Sequence, residues 1–409
     1  MKGPVTAEKE WLPEDWRGEI GELTGKKWRF RMTPARVVLL ALGAISVLIT
    51  VYRLFAGHEA VSNLNDHWPW GLWIGFNVLA GVALAGGGYS TALLANVLHV
   101  RKFSVVARSA LLVSLLSYLF VMFSLFLDIG KWYNFWRPFV FWGYHSVLFE
   151  VFWCISLYLV VQLLEFGEIA TERVLTGWHA LFKKAMPVLL IAGVMLPTLH
   201  QQSLGGLYII AVGKLYPLWW SMLIPVFFLI SSFFVGPAMV TLVSTLAGRA
   251  YRWTVPTEVL QKLIRVSGVL MLVYLGLLVY DLSSRGVWGL VFKGNLEGNM
   301  FILEVLWMLI IPLVICWTPA LFNQRKWLVV FGALVGSGVV LNRMNVVFTG
   351  MAGYLGGHYF PSLMEWALTI GFIAITALVY MFVAENFRIH AREEEIAPEV
   401  AEVEKGVVA

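Results

Sequence analysis

Long apolar stretches separated by short polar connections run along almost the whole chain. We distinguish ten of them, at residues 34–55, 70–98, 105–130, 143–165, 185–202, 218–246, 263–282, 300–322, 327–347 and 362–384. A helix of about 20 apolar residues crosses a bilayer, and lipid offers no partner to the backbone amides of an irregular segment. Barrel strands alternate and span only about 10 residues, which excludes a β-barrel. The pattern predicts an all-α, polytopic membrane protein with ten transmembrane helices.

Composition agrees with this prediction and limits the cofactors. Hydrophobic residues make up 59% of the 409 residues and charged residues 13%, against roughly 45–50% and 25% in soluble proteins. The two cysteines, Cys154 and Cys316, both lie in apolar stretches. Two thiolates cannot ligate a four-cysteine cluster, so we expect any iron–sulfur cluster to belong to another subunit.

The positions of the basic residues predict the orientation of the helices. If the N-terminus is cytoplasmic, 23 of the 30 Lys and Arg residues fall on the cytoplasmic side. Positive charge is enriched on that side of membrane proteins. We therefore predict a multi-pass protein of the inner (cytoplasmic) membrane with both termini in the cytoplasm. The basic pI of 9.1 then reflects topology, and no nucleic-acid partner is expected.

The chain also matches itself at an offset of about 150 residues. We interpret this as two four-helix bundles, helices 2–5 and 6–9, with helices 1 and 10 flanking them. Because four is an even number, the two repeats share one orientation, unlike the inverted repeats common in transporters. The matching segments are Glu150-Val151-Phe152-Trp153 with Glu304-Val305-Leu306-Trp307, Asp128 with Asp281, and Trp68-Pro69 with Tyr216-Pro217.

This interpretation divides the chain into six parts. Two cytoplasmic segments, the second of them acidic, enclose four membrane regions: helix 1, the first bundle, the second bundle and helix 10. The proposed bounds, in chain order, are 1–33, 34–64, 65–210, 211–350, 351–385 and 386–409.

Ionisable residues in the membrane are costly and usually functional. Here most of them fall in the outer half, and the inner halves of the helices are expected to have almost none. One polar layer on one side suits a site for an amphipathic molecule or a docking surface for an outer partner, rather than a transmembrane proton wire. The members of this layer are Asp66, His67, Asp128, His145, Glu150, His200, Asp281, Glu304, Arg343 and Glu365.

Each of these residues also has a structural interpretation. Glu150 lies in an apolar span, which favours a functional or buried-network role, whereas its repeat mate Glu304 would brace the second bundle. His67 can be an interfacial belt residue beside tryptophans. His200 is expected where helix 5 ends at the outer surface, as a cap or as a ligand. Arg343 is expected to neutralise Glu304 or Glu365.

The histidines do not favour a haem. Membrane cytochromes need axial ligands, usually two histidines on facing helices at matching depth. No helix here carries two histidines thirteen or fourteen residues apart, and His67, His145 and His200 all lie towards one side. No haem and no metal site are therefore expected in this chain.

Several segments together resemble the NrfD/PsrC family of quinone-interacting membrane subunits. The similarity is to its ten-helix branch, which includes the membrane subunits of hydrogenase-2 and of the Hmc and Dsr complexes. It covers helices 2 to 10. The segments that carry it are Trp68-Pro69-Trp70-Gly71, Gly86-Gly87-Gly88, Leu199-His200-Gln201-Gln202-Ser203-Leu204-Gly205-Gly206, Lys214-Leu215-Tyr216-Pro217-Leu218-Trp219, Asn342-Arg343-Met344-Asn345-Val346 and Tyr359-Phe360-Pro361.

The resemblance implies a haem-free subunit that binds menaquinone or menaquinol near the outer face. It would exchange electrons with a docked ferredoxin-like iron–sulfur subunit, and through it with a periplasmic multihaem cytochrome c or a hydrogenase, beside other membrane subunits. Alone it would not be catalytic. The implied site lies at the outer end of the first bundle: His67, Tyr144, His145 and His200 would bind the quinone, and Glu150 and Asp128 would relay protons.

Two other classes of function remain open from the sequence. The first is a secondary transporter or a proton-translocating channel. Parallel repeats, and the expected lack of polar groups in the inner halves, count against it. The second is a purely structural anchor for extrinsic redox subunits, in which the polar layer is a docking face. Detection of bound quinone in the purified protein would distinguish the quinone-site subunit from both.

Overall fold

Ten long helices form the architecture. The computed structural model describes residues 27–97, 103–251, 255–355 and 359–390, and in these ranges it has helices and loops but no strand. The ten apolar stretches are ten helices of membrane-spanning length, so the all-α prediction is confirmed. The helices are α1 Pro34–Ala56, α2 Trp73–Ala95, α3 Ser104–Asp128, α4 Val147–Ala170, α5 Thr176–Ile209, α6 Ile224–Tyr251, α7 Thr257–Ser284, α8 Leu296–Trp317, α9 Arg325–Ala352 and α10 Leu363–Asn386.

Polar side chains fix where two of these helices begin. Ser146 caps α4, because its hydroxyl accepts a hydrogen bond from the N–H of Phe149 at 3.3 Å. At α10, Ser362 and Glu365 form a capping box in which each side chain binds the other residue's backbone N–H. Such caps satisfy backbone donors that no helical carbonyl reaches. Helix α4 therefore starts four residues later than expected.

Three of the helices contain π-helical segments. Helix α2 begins with one, Trp73–Ala80, while α8 contains Leu306–Ile310 and α9 contains Asn345–Thr349. A π-turn re-aims the side chains beside it, and such turns are frequent at functional sites. The segments in α8 and α9 adjoin the polar cluster around Glu304 that is described below.

Because ten is an even number, both ends of the described chain lie on one side of the molecule. We call this side, with residues 27–33 and 387–390, the terminal face; the loop face, on the opposite side, carries the connections 57–72, 129–146, 210–223 and 285–295. At the terminal face, Arg36 of α1 forms an ion pair with Glu385 of α10. This ion pair joins the first and last membrane helices, α1 and α10.

The helices pack as two bundles with a flanking pair. In the first bundle, α2–α5, each helix contacts its neighbours in the cyclic order α2, α3, α4, α5, so that α2 and α4 lie diagonally opposite each other. The second bundle, α6–α9, has the same cyclic order, and the two bundles meet where α2 packs on α6 and α9 and α5 packs on α6. Helices α1 and α10 pack on each other, and α10 also packs against α2 and α3. This is the predicted arrangement.

Candidate functional site

Glu150 opens the site at the loop-face end of the first bundle. It lies in the first turn of α4, where a carboxylate is stabilised by the helix dipole. Its Oε1 accepts a hydrogen bond from the hydroxyl of Ser203 on α5 at 2.7 Å, and the residue is exposed. Glu150 is thus a partnered carboxylate exposed at the protein surface, not a group buried in the span.

The segment before α4 supplies the next two predicted residues. Tyr144 and His145 precede the Ser146 cap, and both are exposed, Tyr144 by 78%. Residues Trp142 and Phe149 pack on each other beside them, with ring centroids 5.9 Å apart. An aromatic surface of this kind is typical of the membrane interface, so both predicted side chains lie at that boundary.

His67 lies in the loop before α2 and is exposed. Two contacts fix this loop. Trp70 packs on Tyr208 of α5 with centroids 5.2 Å apart, and Tyr359 accepts a hydrogen bond from the N–H of Leu72 at 2.9 Å. Burial and a hydrogen bond to Glu365 raise the pKa of Tyr359 above its ordinary value. Its hydroxyl therefore stays protonated and links the loop to α10.

His200 is the one predicted site residue in the bundle interior. Helix α5 continues to Ile209 instead of ending at 202, so His200 lies nine residues from the helix end, about 14 Å at 1.5 Å per residue. It is fully buried. The expectation that it lies at the outer surface is therefore wrong.

Both ring nitrogens of His200 are engaged. Nδ1 lies 3.1 Å from the carbonyl oxygen of Leu196, and Nε2 lies 2.6 Å from the hydroxyl of Tyr118. A carbonyl only accepts, so Nδ1 carries the hydrogen and Nε2 accepts from Tyr118. Tyr158 completes the cluster, with its ring centroid 4.5 Å from that of Tyr118. The bundle thus holds a neutral imidazole between two tyrosines, one helical turn from Ser203, which binds Glu150.

Asp128, the last residue of α3, faces away from this cluster. Arg53 of α1 and Glu365 of α10 are close enough to act on its carboxylate electrostatically. Arg53 donates to the carbonyl oxygens on either side of Asp128, those of Leu127 at 3.0 Å and Ile129 at 2.5 Å. The structure therefore places Asp128 at the contact with the flanking helices and does not bring it together with Glu150.

The second bundle encloses its corresponding carboxylate. Glu304 is 2% exposed and accepts three hydrogen bonds: from the indole of Trp219 at 2.9 Å and from the amides of Asn342 at 2.7 Å and Asn345 at 2.9 Å. Glu304 and Glu150 occupy matching positions in the two repeats. Glu304 is enclosed by three hydrogen-bond donors, whereas Glu150 is exposed at the surface and has one donor, Ser203. Of these two repeat mates, only Glu150 is exposed.

Arg343 connects to Glu304 through an intermediary. Its guanidinium donates to the Asn342 side chain, which itself donates to Glu304. It also donates to Ser231 at 2.6 Å and lies 3.6 Å from the centroid of the Phe228 ring. Arg343 was expected to neutralise Glu304, and it reaches that carboxylate only through the side-chain amide of Asn342. The cluster joins α6, α8 and α9.

Helix α4 carries a polar stripe that the pattern of ionisable residues did not predict. Glu150, Cys154, Tyr158, Gln162 and Glu165 follow one another at spacings of four, four, four and three residues, which places them on one face of the helix. Glu165 lies near the terminal face and is 5% exposed. The expectation of almost no polar groups in the inner halves is therefore wrong for the first bundle. The spacing was visible in the sequence, but a search for ionisable groups at one depth overlooks it.

In the described residues, buried His200 contacts two tyrosines and a backbone carbonyl, not a second imidazole. The described residues contain no cluster of three His, Cys, Asp or Glu residues able to hold a metal ion. A membrane haem needs two axial ligands, usually imidazoles on facing helices. Both nitrogens of His200 are hydrogen-bonded, and His179 lies 21 residues earlier on the same helix, bonded to Thr171 at 3.1 Å. No pair of axial ligands is formed in this part of the chain.

These features define an integral membrane protein with two repeated four-helix bundles, of which one keeps an accessible polar site. Residues 60–353 match the family described as Polysulphide reductase, NrfD, and the chain belongs to this family. The predicted family resemblance is confirmed.

Three relatives show the range of the family. The chain is 35% identical to the probable Ni/Fe-hydrogenase 2 b-type cytochrome subunit of Escherichia coli, over 82% of this chain and 87% of that protein. It is 28% identical to the menaquinone reductase integral membrane subunit of Nitratidesulfovibrio vulgaris, over 85% of this chain and 90% of that protein. It is 24% identical to the Hdr-like menaquinol oxidoreductase integral membrane subunit of Archaeoglobus fulgidus, over 84% of this chain and 91% of that protein. Such relatives are membrane subunits of respiratory oxidoreductase complexes.

Proposed function

We propose that this chain is the quinone-binding membrane subunit of a respiratory complex, with one site at the loop-face end of the first bundle. The observation that carries the proposal is the difference between the repeat mates Glu150 and Glu304. A carboxylate closed by three donors, as Glu304 is, braces a bundle. A carboxylate that is exposed and has one hydrogen-bond donor, as Glu150 has, is available to a ligand.

The exposed side chains at this end of the first bundle suit a quinone head group. Its carbonyl oxygens need hydrogen-bond donors, which the side chains of His67, Tyr144 and His145 provide. Reduction also consumes two protons, which the Glu150 carboxyl group would pass to the quinone oxygens one at a time. The names of two relatives contain menaquinone or menaquinol, which supports menaquinone as the substrate. Asp128, which lies beside α10, would act as a second proton relay at a greater distance from the quinone.

The electron donor or acceptor belongs to other subunits in this proposal. Two cysteines in separate bundles cannot supply the four thiolates of an iron–sulfur cluster. A docked ferredoxin-like iron–sulfur subunit at the loop face would exchange electrons with the quinone, and a hydrogenase or a multihaem cytochrome c would lie beyond it. The hydrogenase name of one relative supports this type of partner.

The orientation follows from the basic residues. We place the terminal face in the cytoplasm, because 23 of the 30 Lys and Arg residues belong to that side. The loop face is then the outer face of the inner membrane. The docked subunit would thus be periplasmic, and the quinone would enter the site from the outer leaflet.

The test uses the intact complex, purified through a tag on this chain. Organic extraction should recover bound menaquinone, and the complex should reduce 2,3-dimethyl-1,4-naphthoquinone with reduced methyl viologen as electron donor. Glu150→Gln and His145→Ala should each lower turnover at least about tenfold in the assembled complex. Glu297→Gln, the same change in the first turn of α8, is the matched control. Absence of quinone and of quinone reduction in the wild type would overturn the proposal and favour a structural anchor.

A further inference from the structure

Aromatic rings hold Arg265 of α7 near the terminal face of the second bundle. Its guanidinium lies 4.5 Å from the ring centroid of Trp317, the last residue of α8, and 4.4 Å from that of Phe322 in the α8–α9 connection. Its N–H groups form no hydrogen bond or ion pair with the residues that the structure describes. Ring contacts fix a guanidinium while its donors stay available to a planar or tetrahedral anion. Arg265 is therefore positioned to bind an anion.

The depth of Arg265 is that of a lipid head group. Helix α7 has 28 residues, about 42 Å, so a centred α7 extends roughly 6 Å beyond each side of a hydrocarbon core of about 30 Å. Arg265 follows the first residue of α7, Thr257, by about 12 Å. Because helical side chains lean towards the N-terminus, Arg265 reaches back towards the terminal face. Its guanidinium therefore lies near the boundary where lipid phosphates are found.

An exposed apolar surface extends from Arg265 and Trp317 into the membrane span. Its members on α7 follow Arg265 by one or two turns on the same face of the helix, and its member on α8 lies one turn before Trp317. These residues, exposed by 46% to 54%, are Val269, Leu272, Val273 and Val314. Acyl chains can therefore lie along this surface while the head group contacts Arg265.

The charge around Arg265 favours an acidic lipid over a zwitterionic one. Residues 245–251, 255–270 and 316–330 contain five Lys or Arg residues and one acidic residue, Glu258. Arg249 and Arg325 are close enough for their charges to repel each other. The ammonium group of a zwitterionic lipid would enter a positive environment here, whereas an acidic lipid brings only negative charge.

The first bundle neutralises its own basic residue at the same end. Arg108 of α3, the helix that corresponds to α7, lies 2.6 Å from Glu172 and 3.7 Å from Glu168, both in the polypeptide of α4 and its end. The sequence between Glu304 and Glu365 contains no acidic residue, so the corresponding end of α8 supplies no counterion. One repeat is thus neutralised internally and the other stays positive, which indicates an external anion.

We propose that Arg265 binds the phosphate of an acidic phospholipid, of the phosphatidylglycerol type, in the leaflet at the terminal face. The guanidinium forms paired N–H···O hydrogen bonds with the phosphate, and the rings of Trp317 and Phe322 hold it in position. The acyl chains cover the exposed apolar surface of α7 and α8. The bound lipid thus supplies the anion that α8 lacks and joins α7 to the α8–α9 connection.

The experiment measures lipid binding to the full-length chain. The protein is purified in detergent, delipidated and titrated with dioleoyl-phosphatidylglycerol, or with the phosphatidylethanolamine and phosphatidylcholine that have the same acyl chains. Native mass spectrometry counts the bound lipids, and the thermal midpoint reports their effect. One phosphatidylglycerol should stay bound per chain and raise the midpoint, because a ligand of the folded state stabilises that state. The two zwitterionic lipids should do neither.

Variants at the terminal face test the site. Arg265→Gln should weaken phosphatidylglycerol binding at least about tenfold, since it removes hydrogen bonds to a charged group. Arg265→Lys keeps the charge but loses the paired geometry, so its affinity should fall between the two. Lys326→Gln, at an exposed position of α9, removes one charge from the same face and is the matched control. It should weaken binding by less than about fivefold, the contribution of one basic residue to diffuse attraction.

Equal losses in Arg265→Gln and Lys326→Gln would show diffuse attraction and overturn the site. Equal binding of the zwitterionic lipids would overturn the acidic class, and an equal midpoint shift with inorganic phosphate alone would overturn the lipid. If Arg265→Gln released another membrane subunit or a second copy of the chain while phosphatidylglycerol binding stayed unchanged, a protein would occupy this surface instead. None of these results bears on quinone binding, so the proposed function is tested separately.

Discussion

Gly86 of α2 and Gly236 of α6 lie against each other where the two bundles meet. A Cβ on Gly236 would lie 2.6 Å from the carbonyl oxygen of Gly86, and a Cβ on Gly86 would collide with the carbonyl of Ser232. The two glycines are 150 residues apart, close to the offset of the internal repeat. The bundles therefore cross near equivalent positions, where small residues permit the close approach of the two backbones.

Gly236→Val should destabilise the protein by separating α2 from α6. Overpacking of this kind costs about 1–3 kcal/mol, and a collision with backbone leaves little room for adjustment. The measurement is the thermal midpoint of the detergent-solubilised protein, followed by size-exclusion chromatography. Gly276→Val on α7, where no atom lies within 4 Å of the added Cβ, is the control. Equal midpoints for the two variants would contradict the crossing.

Glu304→Gln should reduce stability more than it reduces quinone turnover in the assembled complex. Both carboxylate oxygens accept hydrogen bonds from Trp219, Asn342 and Asn345. A glutamine amide places its NH₂ group against one of these donors, and an unsatisfied buried polar group costs about 1–3 kcal/mol. Thermal midpoint and turnover per assembled complex are the two measurements. If turnover vanished at an unchanged midpoint, the functional site would lie in the second bundle.

The purified subunit, free of partners, should show no Soret absorption band. The reason is that His200, buried in the first bundle, has both ring nitrogens in hydrogen bonds and no facing imidazole in the described helices. The absorption spectrum of the reduced protein and a pyridine haemochrome assay measure this. A stoichiometric b-type spectrum would refute the prediction.

Reporter fusions should confirm which face is cytoplasmic. A fusion at Glu258, on the terminal face, should be active with a cytoplasmic reporter, and a fusion at Lys293, on the loop face, with a periplasmic one. Alkaline phosphatase and green fluorescent protein at each position provide the paired measurement. The reverse pattern would place the proposed quinone site on the cytoplasmic side.

The sequence by itself determined the ten helices, because crossing a bilayer depends only on the local length and apolarity of the chain. It also determined the repeat, since Glu150 and Glu304 precede the same aromatic pattern. It did not determine where α5 ends. Gln201 looks like a surface residue in the sequence, yet it is fully buried and donates to the carbonyl of Val82 at 3.1 Å.

Only the tertiary structure decided which polar groups face the interior. In the sequence, Glu150 and Glu304 are equivalent. In the structure, Trp219, Asn342 and Asn345 all donate hydrogen bonds to Glu304, whereas Glu150 accepts one, from Ser203. Residues distant in sequence set the environment of a side chain. The tendency of a segment to span the membrane is set by the residues within that segment. The helices could therefore be predicted one at a time, but the open carboxylate of the first bundle could not.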